Sequence, residues 1–378
     1  MRGRLVRVVV ALVLVATGAI VLREASGGPD LTRRTREPFP SGRWVTIKPP
    51  LGRVDRPIVE FLTNEEIGVT RGIQRMIDLI SDRVHVPFEG YDIEWHIEPS
   101  VVQSPMYAMQ NKVLGALDSV LGPESSFMRD WPIDIVVGRS QKWIQGVLRE
   151  RGCTPNLSAW NGVILMAAAV CNRQFIVSNI TGFLWIVNAQ QRITPALEAR
   201  REPLLSRVPY RLVSRGVTAL AHEYVHIWRA AGSGGIVRPD EPAWYSEGIA
   251  EFWAGIGAVL ANRDKLSYES QHVVRVRDFF DWPRSCTKPL SAYRVYSPLN
   301  NACEYHLGVM AIEYLYSRYS SLQTTLRAFS RAREFDTFEE GFAVVFGLSL
   351  QDFENEANRY IARIKRVELA QTRAISPR

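Results

Sequence analysis

The 378 residues carry a formal charge of +7, are 46% hydrophobic and 22% charged, and include 6 His and four Cys. Residues 1–37 hold seven Arg against three acids and residues 359–378 hold six basic residues against one acid, which leaves the body between them at −2. No basic interaction face on the folded part is therefore implied, and no nucleic-acid partner is expected.

Arg2, Arg4 and Arg7 precede the unbroken apolar run Val8 to Leu22. Fifteen residues are few for a membrane span, which needs about 20, but they suit the apolar region of a secretory signal. Residues 1–28 are read as a signal peptide or an N-terminal membrane anchor. The arginines favour the cytoplasmic side, so everything after Leu22 is expected outside the cytoplasm: secreted, periplasmic, or held on the outer face of the membrane through the N-terminal segment. Residues 29–55, rich in Gly, Pro, Arg and Thr, have no hydrophobic period and read as a tether.

A helix is expected from Glu65 to Arg83, with Ile73, Met76, Ile77 and Ile80 on one face, then a strand through Tyr91, Ile93, Trp95 and Ile97. Met106 to Leu121 has a helical pattern, Pro132 to Val137 a strand pattern, and Gln141 to Arg151 a helical one. Val163 to Val170, Phe175 to Ile180 and Phe183 to Val187 follow as strands. Beyond them the apolar spacing is helical over Met310–Tyr319, Leu322–Arg333, Phe338–Phe346 and Leu350–Ile364. Strands first and helices later indicate an α+β class. Residues 56–231 form an N-terminal lobe, 232–367 a helical C-terminal lobe and 368–378 a basic tail.

The N-terminal lobe ends on its active-site helix, with His222-Glu223-Tyr224-Val225-His226 inside a helical stretch that begins near Pro209 and stops at Gly232. At 3.6 residues per turn, His222 and His226 stack on one face and can meet one metal ion. Glu223 is turned about 100° away, the position of a base that does not ligate. Twenty residues intervene before Glu247, in Glu241-Pro242-Ala243-Trp244-Tyr245-Ser246-Glu247-Gly248-Ile249-Ala250-Glu251, which reads as a second helix started by Pro242. Two His and one carboxylate leave a fourth zinc position open, the catalytic pattern. Glu251, one turn after Glu247, is placed to accept from the second nitrogen of a ligating imidazole.

The H-E-Y-V-H and W-Y-S-E-G-I-A segments resemble the gluzincin metallopeptidases, most closely the bacterial peptidase-MA-like group related to aminopeptidase N and thermolysin. The resemblance implies a zincin-like fold, one zinc ion per chain held by His222, His226 and Glu247, and a peptide or protein substrate. It is carried chiefly by residues 210–255. Cys303-Glu304-Tyr305-His306-Leu307-Gly308 is similar to the Tyr-x-x-Gly segment of the aminopeptidase N relatives, which makes Tyr305 the candidate oxyanion donor, with Tyr293, Tyr296 and His306 as alternatives. The Gly-x-Met-x-Asn segment by which those aminopeptidases hold a free N-terminus is absent, which favours an endopeptidase. Two other classes fit the same residues: a catalytically silent envelope module for binding or assembly, and a zinc hydrolase acting on a non-peptide amide.

None of the four Cys lies in a C-x-x-C, and they form two local candidate pairs, Cys153 with Cys171 and Cys286 with Cys303. Outside the cytoplasm disulfides are the natural assignment, with three connectivities open.

Overall fold

The structure is a computed structural model that describes residues 41–47, 58–83, 93–102, 105–121, 133–152, 165–170, 173–179, 208–232, 239–263, 265–273, 285–297, 303–319 and 335–375. It mixes helix and strand and is mostly helical. The N-terminal basic and apolar segment, the Phe183–Val187 and Leu322–Arg333 elements, Cys153 and Cys171 lie outside the described residues. Among those described, no helix is long and apolar enough to cross a membrane.

Strands β1 (Gly42–Ile47) and β2 (Ile58–Thr63) pair antiparallel, Gly42 opposite Thr63. This corrects the reading of residues 29–55 as tether throughout. In β1 Val45 is buried, while Trp44 is exposed and edge-on to Phe61 at 5.6 Å. A signal this short, set among Pro and Arg, is decided by its pairing with β2.

Helix α1 (Asn64–Ile80) follows at once, capped by a reciprocal box. Thr63 Oγ1 accepts from the Glu66 N–H at 3.1 Å, and Glu66 Oε2 accepts from the Thr63 N–H at 2.9 Å. A single-turn 3₁₀ segment, Ser81–Arg83, extends it, so the expected helix to Arg83 holds in helical character with a tighter last turn.

A four-stranded sheet has the order β3 (Ile93–Ile97), β4 (Ile133–Gly138), β6 (Arg173–Asn179), β5 (Leu165–Val170). β3, β4 and β6 run parallel, and β5 is an antiparallel edge on β6. β4 is buried at every position, and its Ile-Asp-Ile-Val-Val sequence has the near-continuous apolar character of a strand covered on both faces. Helices α2 (Pro105–Leu121) and α3 (Gln141–Glu150) accompany it, α3 against β4.

Helix α4 (Val208–Gly232) packs on β5, β6 and α2. Helix α5 (Ala243–Ala261), apolar on nearly all sides, runs through the middle of the core and touches α2, α4 and the later α7 (Cys303–Tyr319). A short α6 (Tyr268–His272), a 3₁₀ turn Leu290–Tyr293, α8 (Phe338–Phe346) and α9 (Leu350–Ile375) complete the helical half.

α5 and α7 approach to backbone contact. A Cβ on Gly248 would lie 2.4 Å from the Gly308 carbonyl carbon, and one on Gly308 would lie 2.2 Å from the Trp244 carbonyl oxygen. Only glycine permits this crossing, and it sets Glu247 and Tyr305, each within one turn of it, on neighbouring helices.

α9 corrects the C-terminal reading. It does not stop at Ile364 but runs to Ile375, through most of the stretch read as a basic tail. Phe353, Ala357, Tyr360, Ile361, Ile364 and Val367 are buried at spacings of three and four, a stripe that the dense Arg and Lys of this stretch conceal. Its start is bound to α5: Trp244 stacks on Phe353 at 5.9 Å, and Trp244 Nε1 donates to Glu354 Oε1 at 3.1 Å.

Candidate metal centre

α4 offers His222 and His226 because its other face is fastened elsewhere. Tyr224 is fully buried with its hydroxyl on Asp118, and Trp228 Nε1 donates to the Leu121 carbonyl at 3.2 Å, both on α2. With that face locked, the histidines one turn apart turn towards α5. Arg229 ties the two helices together below them. Its guanidinium donates to Ser246 Oγ at 3.0 Å and pairs with Glu241, while the Ala243 N–H donates to the Arg294 carbonyl at 2.8 Å.

The consequence is a triangle of ligand atoms. His222 Nε2 and His226 Nε2 lie 3.1 Å apart, and Glu247 Oε2 lies 3.3 Å from the first and 3.4 Å from the second. Donors about 2.0–2.1 Å from one tetrahedral zinc ion lie about 3.3–3.4 Å from each other, so the three edges fit that ion. Neither carboxylate contact is an aligned hydrogen bond, and Glu247 Oε2 is buried without a hydrogen-bond partner. A buried carboxylate oxygen without an aligned donor, 3.3 and 3.4 Å from two imidazole nitrogens, fits an added cation.

Glu251 lies beside the His222 ring, on the side away from Glu247. Its Oε1 is 3.3 Å from His222 Nδ1, an ion-pair distance that is off axis for a hydrogen bond. Burial alone would lower the His222 imidazole, but Glu247, Glu251 and, through space, Glu223 outweigh it and push it up to about 10. Against burial, which would raise it, the His226 and His222 rings hold the Glu247 carboxyl well below the usual carboxylate range. The site is thus built to attract positive charge.

Tyr305, in the first turn of α7, lies over the His222 ring with centroids 5.9 Å apart and planes 22° from parallel. Burial, then the Glu247 charge, with Glu223 and Glu304 adding to it, raises its hydroxyl well above 10. It therefore stays protonated and able to donate. Of the alternatives, Tyr293 and His306 are buried away from solvent, and Tyr296 is half exposed within electrostatic reach of Glu247. Cys286 and Cys303 are joined as a disulfide, which fastens the segment carrying Tyr293 and Tyr296 to the residue two before Tyr305.

A second group escaped the sequence reading. Glu94, His96 and Asp134 also offer three ligand atoms close together, but Arg151 already pairs with both carboxylates: its guanidinium with Glu94, and its Nε at 3.7 Å from Asp134 Oδ1. His96 Nε2 sits 2.8 Å from Asp134 Oδ1 and 3.7 Å from Glu94 Oε2. These unequal edges, with an organic cation already present, suit an ion-pair network rather than a metal. Glu94 and His96 two apart on a strand were the available signal; their partner on β4 is set by strand pairing.

No family model, no curated protein and no solved structure matches the chain, so the reading of its function rests on the geometry above and on the motif.

Proposed function

We propose that the chain is a zinc-dependent metallopeptidase of the gluzincin type, with a zincin-like fold, acting outside the cytoplasm and on internal peptide bonds in preference to N-terminal ones. The observation that carries this reading is the near-equilateral triangle of His222 Nε2, His226 Nε2 and Glu247 Oε2, with the carboxylate oxygen buried and unsatisfied. The resemblance of the H-E-Y-V-H and W-Y-S-E-G-I-A segments supports it. The extracytoplasmic setting is supported by the N-terminal signal or anchor pattern and is compatible with the Cys286–Cys303 disulfide.

Zinc held by His222, His226 and Glu247 would supply Lewis acidity and bring the pKa of a water near 7. Glu223, beside the ligands but not among them, takes a proton as the water oxygen bonds to the substrate carbonyl carbon. It returns that proton to the amine nitrogen as the carbon–nitrogen bond breaks. The Tyr305 hydroxyl donates to the oxygen on which negative charge develops. Glu251 fixes the His222 ring through Nδ1.

The test is elemental analysis of the purified protein beside Glu247→Ala, followed by digestion of a diverse peptide library. One zinc per chain in the wild type, sharply reduced in the variant, with peptide products from the wild type, is the expected outcome. Zinc without peptide turnover would favour the silent binding module, and turnover confined to non-peptide amides would favour the other hydrolase. Absence of zinc from both proteins, after supply at neutral pH, would remove the reading.

A further inference from the structure

Two of the three candidate ligands stand one turn apart on α4, so the helix itself fixes their relation. Glu247 stands on α5, and its place relative to them depends on how the first turns of α5 are held. The local sequence does little of this. Pro242, the residue before the helix, gives no side-chain cap, and the first turn of α5 carries no acid. Its Ala243 N–H donates to the distant Arg294 carbonyl at 2.8 Å, and Gly248, just after Glu247, is pressed against Gly308 of α7. Neither contact refers Glu247 to the histidines.

Arg229 does. It follows His226 by three residues on the same helix, and the residue that it reaches, Ser246, directly precedes Glu247. One guanidinium nitrogen donates to Ser246 Oγ at 3.0 Å and to the Ser246 carbonyl at 3.3 Å, the carbonyl of the peptide bond to Glu247. The other terminal nitrogen pairs with Glu241, and the two side chains are only 12% and 11% exposed. The guanidinium carbon also lies 5.8 Å from the centre of the Tyr245 ring. An ion pair between helices needs only the Glu241 arm. A planar fork whose second arm is bonded to the peptide group of a ligand fixes direction as well as distance.

We propose that Arg229 is a positioning residue of the metal centre: from the helix that bears both histidines it holds the Ser246–Glu247 peptide, and so keeps Glu247 Oε2 at the separation from His222 Nε2 and His226 Nε2 that one ion spans. It touches neither the ion nor a substrate. The proposal rests on the metal-binding part of the reading above and is independent of the peptidase part.

The test, on the full chain, reads zinc affinity by competition with a chelator and the stability of the metal-free protein by urea unfolding. Arg229→Gln should weaken zinc about 10- to 100-fold, with stoichiometry still one at saturating zinc. Arg229→Lys keeps a cation for Glu241 but has no fork to reach Ser246 as well, so it should regain much of the stability and little of the affinity. Ser246→Ala leaves the ion pair intact and removes one acceptor, for a loss of about 3-fold in affinity, as one modest hydrogen bond is lost. These last two variants carry the test if Arg229→Gln does not fold.

Arg294→Gln is the control. It breaks the side-chain bonds to Glu354 and Glu339 while its carbonyl still receives the Ala243 N–H, so stability should fall and zinc affinity should stay at the wild-type value. Cobalt(II) in place of zinc gives a spectroscopic reading of ligand geometry: its visible bands should shift in Arg229→Lys and not in Arg294→Gln. Affinity that falls in step with stability in every variant, Arg294→Gln included, would overturn the proposal in favour of a structural role. Wild-type affinity in both Arg229→Lys and Ser246→Ala would overturn it as well. Zinc held with Arg229-dependent affinity by a protein that cuts no peptide would sustain it while the peptidase reading falls, and a wild-type protein that takes up no zinc would remove both.

Discussion

His222 and His272 are both buried between glutamates, yet the two rings use their nitrogens in opposite ways. His272 Nδ1 lies 2.7 Å from Glu313 Oε2, and its Nε2 lies 3.1 Å from Glu66 Oε1. Each carboxylate then has a further donor: Tyr268 for Glu313 at 2.8 Å, and Thr63 for Glu66 at 2.9 Å. The ring is a protonated link between α1, α6 and α7, and the polar atoms that it joins are satisfied. At His222 one nitrogen converges with that of His226 on a single carboxylate oxygen that has no donor. Convergence of two ring nitrogens on one acceptor marks a place for an added cation; divergence onto separate acceptors marks a finished structural network. Residue types alone, His with two Glu, do not distinguish them.

The largest expected effect is a loss of stability with the metal retained. His272→Ala leaves Glu66 and Glu313, both fully buried, without their shared cation, a change of about 3–5 kcal/mol in stability. Zinc stoichiometry should not change, as measured by denaturant unfolding and elemental analysis on the same sample. His222→Ala should lose the metal that His272→Ala keeps, and without metal it too should lose stability, because Glu247 and Glu251 lose the buried imidazole between them. If His272→Ala also lost metal, the two groups would not be separate devices.

A second way to sharpen the comparison is pH. Burial alone would lower His272, but Glu313 and Glu66 outweigh it and push it up to about 9, from an ordinary value near 6.5. Its contribution to stability is therefore complete below about pH 6.5 and is lost as pH rises through 9, a change on the order of 3 kcal/mol. The zinc-loaded protein isolates this effect, because His222 carries no proton there. Metal affinity should move the other way, rising with pH as the proton held on His222 up to about 10 becomes easier to displace. Unfolding and zinc titrations at pH 6.5, 8 and 9.5 read the two slopes; slopes of the same sign would break the distinction.

These two groups also mark what the sequence makes legible. His222, Glu223 and His226 are readable because helix geometry alone fixes their relation over one turn. Glu247 and Glu251 follow once the second helix is recognised, although the Gly-rich connection hides how closely the two helices lie. Tyr305 rests on a short motif, and the contact that brings it to His222 depends on Gly248 meeting Gly308, a tertiary fact. The His272 network joins residues up to 206 positions apart, and no local period reports it. β1 and the end of α9 were missed for a different reason: charged and Gly/Pro-rich surroundings masked short apolar periods that long-range packing completes.

The finest distinction concerns Glu251, whose Oε1 lies 3.3 Å from His222 Nδ1. At His272 the corresponding carboxylate contact, 2.7 Å to Glu313, is an end in itself. At His222 it would act through the ring, fixing the tautomer that presents Nε2 and making that nitrogen a better donor. Glu251→Gln keeps size and packing but removes the charge, so zinc affinity should fall about 10- to 100-fold while stoichiometry at saturating zinc stays at one. The metal-free protein should lose some stability as well, since the Glu251 charge also holds the buried His222 imidazole there. Competition with a chelator of known affinity reads the first quantity and urea unfolding the second. Unchanged zinc affinity with reduced stability would make Glu251 a structural partner like Glu313, and the two histidines would then differ only in what Glu247 and His226 do.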